Sequence, residues 1–400
     1  MELGPIFRAL VKNRTRFVLI VLEVGLALAV VVNCVHQLSE IRATVTKPSG
    51  LADEENLLRV LVQPFDPELR DRDRAESLRQ ADVRRLQNLP GVVAVTRTSA
   101  VPLSGSGNSS GIRLPEKRDA DPIPGPNFEV SEDWLRTFGV ELVRGRDFLP
   151  EDYASESVAE AILTEALARR LFPEGDPLGR QFVVFGSEPV TVVGLVAHMT
   201  NAWPDSEVAD LAFFYPGRPV YERYSFYLVR VTPGLAGEVR QAIDKALLAE
   251  HSGRTVEVQS MTEVRAETFR QSQFVARLLS AVIVLLVFVT ALGIAGVTSF
   301  SVTQRTRQIG TRRALGATRG EILRYFLVEN ALVTALGLVV GIALAFGLND
   351  GLARFASATR LPLGLVFGGT VFFAVLGQAT TLVPALRATK VPPVVATRAV

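Results

Sequence analysis

Cysteine and histidine are scarce in this sequence, which narrows the chemistry that the chain can support. The 400 residues include one cysteine, Cys34, and three histidines, His36, His198 and His251. A single cysteine excludes an intrachain disulfide and a thiolate cluster, and histidines this far apart do not match the spacing of metal ligands. The sequence therefore predicts no catalytic residue, no metal site and no cofactor site on this chain.

A phosphate-binding loop is also missing from these residues. No glycine is followed directly by lysine, so the G-x-x-x-x-G-K-[ST] pattern does not occur. Residues 107–111 match the G-x-S-x-G pattern of hydrolases, but the flanking residues predict neither the strand nor the helix that this mechanism requires. We expect a flexible loop there. If the function depends on ATP, the absence of a phosphate-binding loop predicts that another polypeptide binds the nucleotide.

The net charge of +2 is too small to attract nucleic acid, whereas apolar residues are abundant, at 48%. They are concentrated in four runs, at 17–35, 274–300, 331–348 and 361–386. Each run is long enough for a helix that crosses a bilayer, which takes about 20 residues. The first run is too long for the apolar part of a cleaved signal peptide, so we expect a retained anchor.

The distribution of arginine predicts the orientation of these helices. Six arginines lie between positions 305 and 324, whereas the short loop between the last two runs has only Arg354 and Arg360. The positive-inside rule places residues 301–325 and both termini in the cytoplasm. The sequence thus predicts an α-helical, multi-pass protein of the cell inner membrane. It would have four transmembrane helices and a large α+β extracytoplasmic domain between helices 1 and 2.

The two helices that flank the large domain are predicted to continue beyond the bilayer as a stalk. The first reaches about Val45, before the Lys47-Pro48-Ser49-Gly50 stop, and the second runs uninterrupted from Met261 to Phe300. The predicted segments are 1–16 (cytoplasmic), 17–46 (helix 1 and stalk), 47–260 (extracytoplasmic domain), 261–300 (stalk and helix 2), 301–325 (cytoplasmic coupling segment), 326–386 (helices 3 and 4) and 387–400 (cytoplasmic tail).

The large domain shows a faint internal repeat. A strand, a helix and a strand are expected at 57–63, 74–89 and 92–98, and again at 226–231, 237–250 and 255–259. Two such units predict a split-βαβ layer with an inserted subdomain at about 100–220. Within the insertion we expect a helix at 163–172 and paired strands at 181–185 and 190–196.

Two features inside the apolar runs indicate helix contacts. Glu23 lies within the first run, where a charge costs about 2.5–3.5 kcal/mol at the centre of the membrane, so we expect it to face the bundle interior or a partner. Gly337 and Gly341 form a G-x-x-x-G pattern, which lets helices approach closely. Packing against the fourth helix and dimerisation both explain this pattern.

The arginine-rich segment at 305–329 also contains apolar residues and glycines, a pattern that predicts short amphipathic helices with breaks. Its R-x-R-x-I-G-x-R-R-A-L-G-A core, followed by Phe326-Leu327-Val328-Glu329, resembles the FtsX-type permease domain. Residues 130–148, 163–173, 177–179 and 192–196 are similar to the MacB-type periplasmic core domain.

The resemblance implies a permease subunit of an ATP-binding cassette transporter. Such permeases work as dimers, homo- or heterodimeric, in membrane lipid, with cytoplasmic ATPase subunits and, in efflux systems, a periplasmic adaptor. ATP hydrolysis would drive extracytoplasmic movement, or mechanotransmission, for efflux or export. The implied ATPase contact comprises Arg312, Arg313, Ala314, Leu315, Gly316 and Ala317. Leu315 would be its apolar contact, the arginines its charge partners, and Gly316 the break that permits close approach.

Other functions share this layout. A lipoprotein-release permease of the LolC/E type is one alternative, and an FtsX-like regulatory subunit that controls an extracytoplasmic partner is another. A membrane-anchored enzyme is the least favoured, because no catalytic constellation is found. The family usually has an acidic residue before the Ile-Gly pair where this chain has Gln308, which alters one polar contact expected at the ATPase.

Overall fold

The structure is a computed structural model that describes residues 14–66, 72–117, 119–155, 157–184, 186, 188–219, 221, 223–249, 251–356 and 359–392. The predicted cytoplasmic segment before residue 14 and the tail after residue 392 lie outside the described residues. The chain divides into two compact units. Residues 44–271 form one, here called the α+β domain, and the other, here called the helix bundle, contains residues 1–43 and 272–400.

The helices are α1 (Arg14–Thr46), α2 (Arg72–Gln87), α3 (Trp134–Phe138), α4 (Glu165–Leu171), α5 (Ala236–Leu248), α6 (Met261–Thr268), α7 (Arg270–Gln304), α8 (Thr306–Ala314), α9 (Arg319–Ala356) and α10 (Leu363–Thr389). The strands are β1 (Leu57–Pro64), β2 (Val92–Thr98), β3 (Asn108–Ile112), β4 (Ile123–Val130), β5 (Leu142–Gly145), β6 (Glu160–Thr164), β7 (Gln181–Val183), β8 (Pro189–Val196), β9 (Phe213–Pro216), β10 (Ser225–Val231) and β11 (Arg254–Ser260).

Four helices of the described chain are long and apolar enough to cross a membrane: α1, α7, α9 and α10. The shortest of them, α10, has 27 residues, which at a rise of about 1.5 Å per residue exceeds the ~30 Å of a hydrocarbon core. Since the α+β domain lies between α1 and α7 in the chain, the predicted fold class is confirmed. The predicted end of the first helix, near Val45, agrees with the observed end at Thr46.

The two predicted strand–helix–strand units form one antiparallel layer. Its strand order is β11-β1-β10-β2, with every neighbouring pair antiparallel. Alternate strand residues and the apolar sides of α2 and α5 share one core, which includes Val60, Leu86, Tyr227 and Ile243. Because each unit alone would leave an apolar face exposed, the two stabilise each other, as a split-βαβ layer requires.

The insertion extends the same sheet instead of folding away from it. Beyond β2 the strand order continues β4-β9-β6-β8-β5, with β3 paired to β4 and β7 paired to β8. The predicted pair of strands at 181–185 and 190–196 corresponds to β7 and β8, although Phe185 lies outside the described residues. Trp134 and Phe214 stack at 4.5 Å between ring centres in the core beneath these strands.

Two local expectations for the insertion are wrong. Residues 108–111 of the expected loop belong to strand β3, because β4 supplies a pairing partner that the local sequence does not reveal. Leu163 lies at the end of strand β6 and not in a helix. Its fully buried side chain belongs to an apolar cluster of the insertion that also contains Leu167 and Phe213. Helix α4 begins only after Thr164, whose hydroxyl accepts a hydrogen bond from the amide of Leu167 at 3.3 Å.

The expected uninterrupted helix from Met261 to Phe300 is also not observed. The chain forms two helices, α6 and α7, with Phe269 between them at φ −87° and ψ 7°. Phe269 is fully buried. Its packing in the α+β domain outweighs the local preference for a continuous helix, which the absence of proline had suggested.

Arg265 of α6 connects the last part of the α+β domain in the chain to its first part. Its guanidinium donates to both oxygens of Glu54, at 2.8 and 2.6 Å, and to the carbonyl oxygens of Val45 and Lys47, at 3.3 and 3.1 Å. Burial alone would raise the pKa of the Glu54 carboxyl, but hydrogen bonds from Arg265 and Ser49 together with the charge of Arg265 hold it below its ordinary value. The last turn of α1 and helix α6 are therefore held at one point.

Candidate functional site

Helix α8 is anchored to its neighbours by a small apolar cluster. Ile309 and Gly310 are buried, and Ile309 packs with Ile322 and Phe326 of α9 and with Ala385 and Ala388 of α10. The regular spacing of apolar residues among arginines produces this one-sided burial. Helix α8 therefore packs against two of the apolar helices. It is one of the short amphipathic helices that the sequence predicted.

Arginines on and beside α8 reinforce this anchorage. Arg305 forms an ion pair with Glu329 at 2.8 Å, with side-chain exposures of only 18% and 13%. The guanidinium of Arg312 lies 5.0 Å from the ring centre of Tyr325, and Arg313 donates a hydrogen bond of 2.5 Å to the carbonyl oxygen of Thr389. Two of the arginines predicted to be charge partners of the ATPase thus contact the chain itself.

The residues after α8 form an exposed tip. Leu315 ends the helix with 84% of its surface exposed, beside exposed Ala314 and half-buried Ala317. Gly316 has a φ of +97°, a conformation that favours glycine. An apolar side chain this exposed on a rigidly held turn is suited to contact with another molecule.

Gly316 is the break that the sequence predicted, whereas Gly310 lies within α8 and Gly320 within α9. The hydroxyl oxygen of Thr318 accepts from the amide of Glu321 at 3.2 Å, and Glu321 accepts from the amide of Thr318 at 2.8 Å. These reciprocal bonds define the beginning of α9.

Four exposed arginines on and beside α8 have no acidic partner among the described residues: Arg307, Arg312, Arg319 and Arg324. Of these, Arg312 lies against the ring of Tyr325, which leaves Arg307, Arg319 and Arg324 without such a contact. Their guanidinium groups are available to an acidic surface, whereas Arg313 directs one nitrogen to the carbonyl oxygen of Thr389. We therefore define the docking tip as Leu315, Gly316, Arg307, Arg319 and Arg324. The sequence could not indicate which arginines are engaged within the chain, because the contact of Arg313 depends on α10.

The Gly337 and Gly341 pair lies against α1, a contact that differs from both explanations offered by the sequence, the fourth helix and dimerisation. A Cβ atom added at Gly341 would lie 2.9 Å from the carbonyl oxygen of Gly25, and one added at Gly337 would lie 3.0 Å from Cβ of Val24. Gly25 supplies a matching small residue on α1, so the two backbones approach closely. The pattern is therefore used in a helix contact within the chain.

Replacing Gly341 by leucine is expected to destabilise the helix bundle by about 1–3 kcal/mol, because the side chain would have to displace the backbone of α1. Gly347→Leu on the same helix is the matched control, since an added Cβ there meets no atom within 4 Å. Thermal unfolding of the purified chain in detergent measures both. Equal loss of stability in the two variants would contradict the α1–α9 contact.

Glu23 is half-buried on α1 and lies beside Gly293 of α7. A Cβ atom at Gly293 would overlap the Glu23 carboxylate, so this glycine provides the space that the side chain occupies. The carboxylate therefore faces a neighbouring helix of the bundle, in the manner expected for an ionisable group within an apolar helix.

Buried amides form helix contacts that the sequence analysis did not single out. Asn33 of α1 donates to the carbonyl oxygen of Ala345 on α9 at 3.1 Å, and Asn330 of α9 donates to that of Gly377 on α10 at 2.9 Å. An asparagine within an apolar run is a usable signal, because hydrogen bonds between helices are its usual explanation in a membrane.

The two parts of the chain each match a known family. Residues 17–246 match the MacB-like periplasmic core domain, and residues 280–393 match the FtsX-like permease C-terminal domain. The chain belongs to the MacB/FtsX-type family of ABC transporter permeases. This finding agrees with the resemblance carried by the arginine-rich segment.

Two relatives illustrate the coverage. The macrolide export ATP-binding/permease protein MacB of Vibrio parahaemolyticus is 27% identical over 80% of this chain and 48% of its own length. The uncharacterized ABC transporter permease YknZ of Bacillus subtilis is 24% identical over 97% of this chain and 95% of its own. The chain thus spans about half the length of the MacB relative. The crystal structure of the periplasmic region of MacB from Actinobacillus actinomycetemcomitans is 13% identical, with a TM-score of 0.39 over 56% of this chain and 96% of that one.

Proposed function

We propose that this chain couples ATP hydrolysis by a separate ABC ATPase to conformational change on the other side of the membrane, for efflux or export. The exposure of Leu315 at the docking tip carries the proposal, because a membrane protein gains by covering such a side chain with a partner. The ATPase would bind the ATP, and a second permease would complete the transporter in the lipid bilayer. A periplasmic adaptor would join it in an efflux system.

Rigid attachment of the docking tip supports force transmission. Arg305–Glu329 and Arg313–Thr389 tie α8 to α9 and α10, so movement of the ATPase surface would displace several membrane helices together. Helix α1 continues without a break to Thr46, and Arg265 donates to the carbonyl oxygen of Val45 in its last turn. This continuity is consistent with mechanotransmission by shifts of packed helices.

We propose that both termini and the docking tip lie in the cytoplasm and that the α+β domain lies outside the cytoplasmic (inner) membrane. The support is the concentration of arginine at 305–324 and its scarcity between α9 and α10. In this orientation the docking tip faces the ATPase.

Cysteine labelling tests orientation and docking together. We expect Leu315→Cys, in a Cys34→Ser background, to react with an impermeant maleimide only from the cytoplasmic side, and to react more slowly when the ATPase is bound. Leu363→Cys is the matched control, since Leu363 is 75% exposed at the other end of α10. It should react from outside, regardless of the ATPase. Labelling of Leu315→Cys from outside would reject the orientation, and unchanged reactivity with bound ATPase would reject the docking surface.

A further inference from the structure

An open cavity of about 290 Å³ lies in the α+β domain, far along the chain from the docking tip. It is bordered by helix α2, strand β2 and the turn after β4, and its lining includes three arginines: Arg84, Arg97 and Arg218. Gln80, Gln87 and Ser131 add polar groups. A small concave site with converging cationic and polar side chains is the usual form of a binding site for a small anion.

Arg97 is the central observation. Its side chain is 4% exposed, and its Nη1 donates to the two oxygens of Glu76 at 2.9 and 3.1 Å. Its Nε and Nη2 are buried and have no hydrogen-bond partner within the described part of the chain. These two nitrogens lie on one edge of the planar guanidinium and direct their hydrogens the same way. That edge matches the two oxygens of a carboxylate.

The surrounding structure holds this arginine in place. Its backbone amide donates to the hydroxyl oxygen of Ser131 at 2.9 Å, and Ser131 is itself buried and contacts Thr96 at 3.2 Å. Two unpaired buried donors on a fixed side chain are unusual, because buried polar groups are nearly always hydrogen-bonded. A ligand that supplied two acceptor oxygens would satisfy both.

The charges around the cavity favour a monoanion. Glu76 pairs with Arg97, and Glu132 pairs with Arg218 at 2.9 Å. Arg84 is exposed and has no acidic partner among the described residues, so it is the unpaired one of the four charged residues that line the cavity. Burial raises the pKa of the nearby Glu129 carboxyl, and the charge of Arg97 opposes this shift.

We propose that the cavity binds a small ligand through a carboxylate held by the free edge of Arg97, with Arg84 supplying the balancing charge. The volume accommodates a ligand at the small end of the usual range. The proposal concerns the α+β domain by itself and does not depend on ATPase coupling.

Equilibrium dialysis of the full chain in detergent tests it, with radiolabelled N-acetylalanine as the probe. N-acetylalanine amide and inorganic phosphate are the competitors. We expect the unlabelled acid to compete, the amide not to compete, and phosphate to compete more weakly. Arg97→Lys should weaken binding by roughly tenfold or more, since lysine cannot form the paired bonds.

Arg84→Gln provides a second test in case the Arg97 variant fails to fold. Arg84 is exposed, so its replacement should leave the fold intact. It should also weaken binding, whereas Arg169→Gln, an exposed arginine of α4, should not. Absence of saturable binding, equal competition by the amide, or unchanged binding in Arg84→Gln would overturn the proposal. Stronger competition by phosphate than by the acid would overturn the assignment of a carboxylate.

Discussion

Leu315→Asp is expected to weaken binding of the ATPase by about thirtyfold and to abolish any effect of the permease on ATP turnover. Leu315 is 84% exposed at a rigidly held turn, as expected of a central apolar anchor in an interface. Such anchors contribute about 2 kcal/mol or more, which corresponds to roughly thirtyfold in affinity. Aspartate would add the cost of removing a charge from water without a partner.

Co-purification with the ATPase and ATP turnover in lipid nanodiscs measure the effect. Leu363→Asp is the control, because Leu363 is similarly exposed at the opposite end of α10, away from the docking tip. Both variants should fold alike, since neither side chain is packed. Full binding and full turnover with Leu315→Asp would exclude the docking tip as the ATPase contact.

Asp82→Ala is expected to destabilise the α+β domain by about 3–5 kcal/mol, the usual loss when one partner of a buried ion pair is removed. Asp82 of α2 accepts two bonds from Arg254 of β11, at 2.6 and 3.0 Å, and the two side chains are 2% and 4% exposed. The hydroxyl of Tyr227 donates to the same carboxylate at 3.2 Å. Alanine would leave the charge of Arg254 buried and uncompensated.

Thermal unfolding of the full chain, followed by circular dichroism, provides the measurement. For a domain of this size we expect the melting temperature to fall by roughly 10 °C. Arg169→Ala removes an exposed pair on α4, with exposures of 71% and 36%, and should change stability by less than about 0.5 kcal/mol. Replacing both members together, as Asp82→Leu with Arg254→Met, should recover much of the loss. If Asp82→Ala proved as stable as Arg169→Ala, the ion pair of Asp82 and Arg254 would not be buried in solution.

Sequence patterns within single segments were sufficient to predict most of the helices and strands. Long apolar runs predicted four helices, and the repeat of strand, helix and strand predicted the split-βαβ layer, because hydrophobic periodicity reflects the face that a segment buries. Gly316 was expected to be a break between short helices, and its φ of +97° is a local conformation that glycine favours. The predicted end of the first helix also depended on adjacent residues, Lys47 to Gly50.

Features that depend on contacts with residues far away in the chain could not be predicted from the sequence. Strand β3 forms because β4 pairs with it, and the helix break at Phe269 arises from packing in the α+β domain. Whether an arginine is free is decided in the same way: Arg313 is engaged by Thr389, whereas two nitrogens of Arg97 remain unpaired. The sequence alone determined where apolar and basic residues concentrate, and hence the membrane helices and the arginine-rich segment between α7 and α9. Tertiary structure decided which of those charges and glycines are already used, since hydrogen bonds and close contacts form between residues far apart in the chain.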